Sequence, residues 1–149
     1  MKGVLKMLDI KAPIVPWVGL GNIKLYESIK SLRDLIDQEG VKEFLYSRFL
    51  VRYEIPGKIY LFFNLLNGKL FKLTALKDYE GVVLDRIKIG MTSEELLRID
   101  PSFEYDDFEE VYVSKKGVFI VTDAETEEIM WISVFIKELE TPEFEEAEW

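Results

Sequence analysis

Two stretches of this chain, 64 positions apart, carry one apolar skeleton, and that recurrence restricts the fold more than any other feature. Residues 20–35 read Leu-Gly-Asn-Ile-Lys-Leu-Tyr-Glu-Ser-Ile-Lys-Ser-Leu-Arg-Asp-Leu, and residues 84–99 read Leu-Asp-Arg-Ile-Lys-Ile-Gly-Met-Thr-Ser-Glu-Glu-Leu-Leu-Arg-Ile. Leu20/Leu84, Ile23/Ile87, Lys24/Lys88, Leu25/Ile89, Ser28/Thr92, Leu32/Leu96 and Leu35/Ile99 fall into register. In each stretch a short extended Ile-Lys-(Leu/Ile) leads to a hydroxyl residue able to cap a helix. Thr92 and Glu95 have the spacing of a capping box, in which the hydroxyl takes an orphan helix amide and the glutamate reaches back to the cap amide. The first helix is predicted from Ser28 to Gln38, with Ile29, Leu32, Leu35 and Ile36 on one face and Gly40 past its end; Pro101 closes the second.

Each helix is followed by apolar, aromatic runs that read as strands. In the first unit these are Phe44 to Ile55, Lys58 to Leu66 and Lys69 to Leu76, three antiparallel strands broken at Pro56-Gly57 and Asn67-Gly68. Asn-Gly between two β-rich runs predicts a type I′ hairpin turn, which needs positive φ at both central residues. In the second unit the runs are Tyr105 to Ser114, Val118 to Thr122 and Glu128 to Lys137, the last nearly all apolar and so expected at the centre of a sheet. At an offset near 60, Gly57 meets Gly117, and Leu70-Phe71 meets Met130-Trp131. The expected fold class is α+β, two helix-plus-antiparallel-meander units in tandem that can share one sheet. The divisions are an N-terminal arm (1–19), a first unit (20–80), a second unit (81–139) and an acidic tail (140–149). Duplication of one unit accounts for the order of elements; chance likeness between two α+β halves is the alternative.

With 149 residues, 48% hydrophobic and 32% charged, the chain is too apolar for intrinsic disorder, and no apolar run approaches the roughly 20 residues that span a bilayer. It contains no cysteine and no histidine. Disulfides, thiol chemistry, Cys/His zinc sites and histidine-dependent nucleophiles are therefore excluded. No spacing of the remaining carboxylates, lysines, serines or tyrosines announces a reaction, so the reading is of a non-enzyme without a cofactor. The apolar stretches before Trp17 are broken by Asp9, Lys11, Pro13 and Pro16, although Lys2, Lys6 and Lys11 give the arm a basic character, and no signal-peptide cleavage pattern appears. The expected location is cytoplasmic. Pro13 to Gly21 lacks the glycine spacing of a phosphate loop, and Trp17 reads as a packing residue.

The net charge is −9, but it is unevenly placed. Residues 100–149 hold 16 acidic and 3 basic side chains, whereas residues 1–99 hold 16 basic and 12 acidic ones. Such a chain repels phosphate backbones, so direct nucleic-acid binding is not expected. The acidic half is suited to steering a basic protein, or serves as a solubilising surface.

The segment Ile87-Lys88-Ile89-Gly90-Met91-Thr92-Ser93-Glu94-Glu95-Leu96 resembles the motif that opens the helical part of the outer-membrane assembly lipoprotein and beta-lactamase inhibitory protein-like families. In the first unit Tyr26-Glu27-Ser28 stands where Gly-Met-Thr would be, and the chain has no lipid-anchor cysteine. The resemblance covers about ten residues closely and the order of elements in each unit. It implies a tandem α+β protein that presents a broad sheet to a protein partner. By size, acidity and aromatic content the chain also looks like bacterial toxin-immunity proteins, including those of contact-dependent growth inhibition systems; that likeness rests on no residue motif.

The sharpest candidate site is Phe103 to Glu110. Glu104, Tyr105, Asp106, Asp107, Phe108, Glu109 and Glu110 alternate carboxylates with aromatics, which suits pairing with Lys/Arg of a partner while Phe and Tyr act as anchors. The other reading is a loop whose aromatics pack inward while the acids face water. A metal set from Asp106, Asp107 and Glu109 lacks the oxygen-rich loop and turn glycine of a calcium site, so no metal is expected. The tail from Glu138 to Trp149 holds six glutamates and is expected to fray, or to dock Phe144 and Trp149 on a partner. Tyr60, Phe62, Phe63, Phe71 and Trp131 read as sheet residues, with Tyr60 and Phe62 on one face and Phe63 on the other.

These observations lead to an expected stoichiometric protein-binding inhibitor, first of all an immunity protein that occludes the active cleft of a cognate toxin or other basic protein. An adaptor or assembly factor of the same fold is the alternative. A carboxylate enzyme or small-molecule-binding domain using Glu54 or Asp106 is the third reading.

Overall fold

The computed structural model describes residues 7–149; Lys2 and Lys6 of the arm lie outside them. The arm leads into a small two-stranded ribbon, β1 (Gly19–Leu20) and β2 (Ile23–Lys24). Ser28 then caps a 3-10 turn, Ile29–Leu32, by accepting from the Lys30 amide, and α1 (Arg33–Ile36) follows directly. The first helix thus begins at the expected hydroxyl but is shorter than the predicted Ser28 to Gln38. Four strands follow it, not three: β3 (Lys42–Leu45), β4 (Leu50–Ile55), β5 (Ile59–Asn64) and β6 (Lys69–Ala75). The extra hairpin folds back within Phe44 to Ile55, a run without the Gly or Pro that marks a turn.

The second unit repeats this order. Thr92 and Glu95 form the capping box of α2 (Ser93–Ile99), which ends at Asp100-Pro101. Then come β7 (Glu104–Asp106), β8 (Val111–Ser114), β9 (Val118–Thr122) and β10 (Ile129–Phe135). The run from Tyr105 to Ser114 is therefore a hairpin and not one strand. β3 to β10 form one antiparallel sheet in the order β3-β4-β5-β6-β10-β9-β8-β7. The two units meet where β6 pairs with β10, Leu73 opposite Val134 and Thr74 opposite Ser133, so the apolar β10 is central as its sequence predicts.

The units are built by matching backbone bonds. Tyr26 donates to Leu70, which donates back to Glu27; Gly90 donates to Ile129, which donates back to Met91. Gly90 takes φ 95° here, and Tyr26 takes φ 72° in the corresponding place. Positive φ is thus the requirement at this position, which glycine meets in the second unit without strain and tyrosine meets in the first in a region that L-residues disfavour. Asn67-Gly68 lies in the hairpin turn between β5 and β6 as its sequence predicts, but the turn type is a correction: only Gly68 has positive φ (70°) and the loop spans Leu65 to Gly68, so it is not type I′.

One face of the sheet is the core. Val51, Leu61, Phe63, Leu70, Leu73, Ile120, Ile132 and Val134 alternate inward along their strands, and Leu32, Leu35, Ile36, Leu96, Leu20 and Ile23 cover them from the helices and ribbon. The arm is stitched to the segment between the units. Ile10 accepts from the Glu80 and Gly81 amides, Ile14 donates to Val82, and the Tyr79 hydroxyl donates to Ala12 while accepting from Gly21. Trp17 packs edge-on against Phe135 at 5.4 Å.

The tail is a second correction. It forms a 3-10 turn, Lys137–Glu140, and a short α3 (Pro142–Glu145). Phe144 and Trp149 stack on each other and close on Phe71, and Lys69 Nζ donates to a Trp149 oxygen at 2.7 Å. Aromatic packing outweighs the repulsion among the tail's glutamates, because five of the six stay exposed, Glu138 accepts from the Tyr26 hydroxyl, and the two rings are partly buried.

Asp100, at the end of α2, is buried and accepts from Lys116 Nζ at 2.8 Å and from the Ser102 amide and hydroxyl. The Lys116 bond, then those from Ser102, hold its carboxyl below the ordinary value. The stability this contributes is present above the unfolded-state pKa, and it is lost as pH falls through the lower folded value. Asp100→Asn is expected to lower stability at pH 7 and to flatten its fall on the acid side. Urea midpoints of both proteins at pH 7, 4 and 2.5 test this; parallel acid slopes would refute it.

Candidate functional site

The acidic cluster lies on the outermost hairpin of the sheet. β7 pairs with β8, Glu104 opposite Val113 and Tyr105 opposite Tyr112, and the chain reverses through 107–110. Asp106 makes that reversal: its Oδ1 accepts from the Phe108 and Glu109 amides at 2.9 and 3.1 Å, and its carbonyl accepts from Glu110. An aspartate at the first position of a turn locks the backbone in this way. Its Oδ1 is accordingly committed to the turn, and among the described residues no three carboxylates are grouped to hold a metal ion.

The aromatics of the cluster divide. Phe103 is buried in the core, whereas Tyr105 is half exposed and Phe108, at the tip, is 91% exposed. Glu104, Asp107, Glu109 and Glu110 are exposed around them. The Tyr105 hydroxyl has its pKa raised, first by desolvation and then by the charges of Glu110 and Asp107. Beside the hairpin lies a hollow of about 440 Å³ lined by Tyr105, Tyr112, Glu110, Asp123 and Glu127. The Thr126 and Glu125 amides hold the Asp123 carboxyl below its ordinary value, so it is ionised at neutral pH. Aromatic walls with carboxylates at the rim suit the stem and head of a lysine or arginine.

A second feature, which sequence reading missed, lies on the sheet face opposite the core. Register places Phe44 opposite Arg52, Arg52 opposite Phe62, Phe62 opposite Lys72 and Lys72 opposite Phe135. The Arg52 guanidinium lies over the Phe44 ring at 5.1 Å and the Tyr60 ring at 4.3 Å; Lys72 Nζ lies over Phe62 at 4.9 Å. Tyr60 meets Trp131 edge-on, and beyond them the face opens into a groove of about 620 Å³ that Glu54 also lines. Burial lowers the Lys72 pKa, and the charge of Glu109, from the hairpin tip, opposes that shift. Alternation along β4 and β6 assigns Arg52 and Lys72 to one face, but nothing in either strand alone reveals that the two cations flank one ring.

Among the described residues no helix is long and apolar enough to cross a membrane. No family model and no curated protein matches the sequence. Among solved structures the chain is similar to a cysteine-rich secretory protein from Staphylococcus aureus, at a TM-score of 0.50 and 16% identity over 89% of this chain and 51% of that one. This chain spans about half the length of that protein, and at such identity the likeness is one of fold alone.

Proposed function

We propose that this chain is a stoichiometric protein-binding inhibitor, acting in the cytoplasm, that inserts the β7–β8 hairpin into a basic cleft of its target. In its most specific form it is an immunity protein that neutralises a cognate toxin by occluding the active site. The observation that supports this reading is Phe108, almost fully exposed at the tip of a turn held by Asp106 and ringed by carboxylates. A large aromatic left in water on a rigid tip is suited to fill a pocket on another molecule. The surrounding acids steer a basic partner, and the adjoining acidic hollow offers a place for one of its cationic side chains.

Affinity capture on the immobilised protein with elution by rising salt, followed by association kinetics on what is captured, tests this. One basic protein is expected at 1:1 stoichiometry, with its own activity suppressed on binding. Asp107→Lys is expected to slow association about tenfold at low salt, and Phe108→Ala to speed dissociation by a similar factor. Several weak partners would favour an adaptor, and kinetics unchanged in both variants would exclude the hairpin.

A further inference from the structure

We infer that the face carrying Arg52, Phe62 and Lys72 is a docking site for an acidic segment of a protein partner, with one carboxylate bound by each cation. The inference does not require the hairpin to enter a target, although the charge of Glu109 at the hairpin tip reaches Lys72. Its basis is two cations left, among the described residues, without a direct ion pair, Glu109 acting on Lys72 only as a nearby charge. Among the described residues neither cation has an ion-pair or hydrogen-bond partner through its side chain, and Arg52 Nε is buried without an acceptor. Buried donors in folded proteins are nearly always satisfied, so an orphaned guanidinium nitrogen points to an acceptor supplied from outside. The Phe44 and Tyr60 rings flank the guanidinium, a group whose planar fork takes a carboxylate through two parallel hydrogen bonds.

The spacing narrows the ligand. Arg52 and Lys72 stand on β4 and β6 with β5 between them, so their backbones lie roughly 10 Å apart, two strand spacings. An extended segment with acidic side chains two residues apart spans roughly 7 Å along its backbone, and flexible glutamate side chains cover the difference. The Phe62 ring between the cations gives such a segment an apolar surface to cross. The face presents two separate cations and not a continuous basic track, which suits two discrete carboxylates better than the unbroken phosphate backbone of a nucleic acid. The tail packs over Phe71 and bonds Lys69 and Asn67, whereas Phe44, at the outer end of the row, is half exposed, so the approach is open from β3.

The test titrates the protein with capped heptapeptides carrying two glutamates separated by one, two or three serines, and follows the Arg52 Nε–H signal by nuclear magnetic resonance. A saturable shift of that signal is expected, with affinity depending on the spacing and about tenfold weaker for a single-glutamate peptide. Arg52→Gln is expected to abolish binding, and Arg52→Lys to retain part of it because the charge remains without the fork. If Arg52→Gln does not keep the native amide spectrum, Lys72→Gln with the same readout takes its place. Phe108→Ala is expected to leave the titration unchanged, so the fate of this site and that of the hairpin are read separately. No shift at Arg52, or an octamer of deoxythymidylate shifting it at lower concentration than any peptide, would overturn the assignment.

Discussion

Replacing Phe63 with alanine is expected to cost about 4 kcal/mol, roughly a thousandfold in the folding equilibrium. Phe63 sits on β5 with no exposed surface, opposite Val51 on one side and Leu70 on the other, and meets the Tyr53 ring edge-on at 5.9 Å. Its neighbours are themselves held by strand pairing, so the sheet cannot close over the space and the cavity term adds to the lost transfer energy. Phe62, one residue earlier, lies on the opposite, half-open face, and Phe62→Ala is expected to cost less than half as much. Urea unfolding of both variants reads the difference, with the denaturant slope unchanged if each unfolds in two states. Equal losses would mean that the faces are assigned wrongly.

Gly81→Ala is expected to cost about 3 kcal/mol, although it adds a single methyl group. A β-carbon at Gly81 would lie 2.0 Å from the Ala12 carbonyl oxygen and 2.7 Å from the Tyr79 ring. Neither neighbour can yield: Ala12 is fixed by the Tyr79 hydroxyl, and the Gly81 amide is bonded to Ile10. Relief requires the arm to leave the segment between the units, breaking the bonds that Ile10, Ala12 and Ile14 make there. Faster hydrogen exchange at the Ile14 and Gly81 amides, together with a lower urea midpoint, would report that release. Protection equal to that of the parent chain would show that the arm absorbs the methyl without detaching. Tyr79→Phe is the milder comparison, losing the hydroxyl that ties Ala12 to Gly21, at about 1.5 kcal/mol. That hydroxyl, pushed up to about 12 by burial, stays protonated at neutral pH and holds both bonds.

The parts of the fold legible in the sequence are those with local causes. Ser28 and Thr92 cap their helices because a hydroxyl needs only the next few amides to do so, and Thr92 with Glu95 completes the box within four residues. The central place of β10 follows from its uninterrupted apolar run. The β3–β4 and β7–β8 reversals were hidden because neither contains glycine or proline. Asp106 was the one available signal for the second: an aspartate whose carboxyl can accept from amides two and three residues on. Read as a turn former, it would have put Phe108 on a tip and not within a strand.

Of the candidate site, the sequence supplied the residues but not their exposure. Phe103 and Phe108 are both phenylalanines among carboxylates; one is core and the other stands in water, a distinction that depends on where the hairpin bends. The docking of the tail is not legible in the sequence for a related reason, since its charge density is local but Phe71, the ring that holds it, lies more than 70 residues away.

By itself, the sequence determined the class of fold, two units of helix and antiparallel strands, and it excluded cysteine and histidine chemistry. These are properties of composition and of interactions between near neighbours. Only the tertiary structure decided that the units share one sheet through β6 and β10, that the tail closes on Phe71, and that Arg52 and Lys72 flank Phe62. Those features depend on register between strands distant in the chain, and register is set by the simultaneous burial of the whole apolar face.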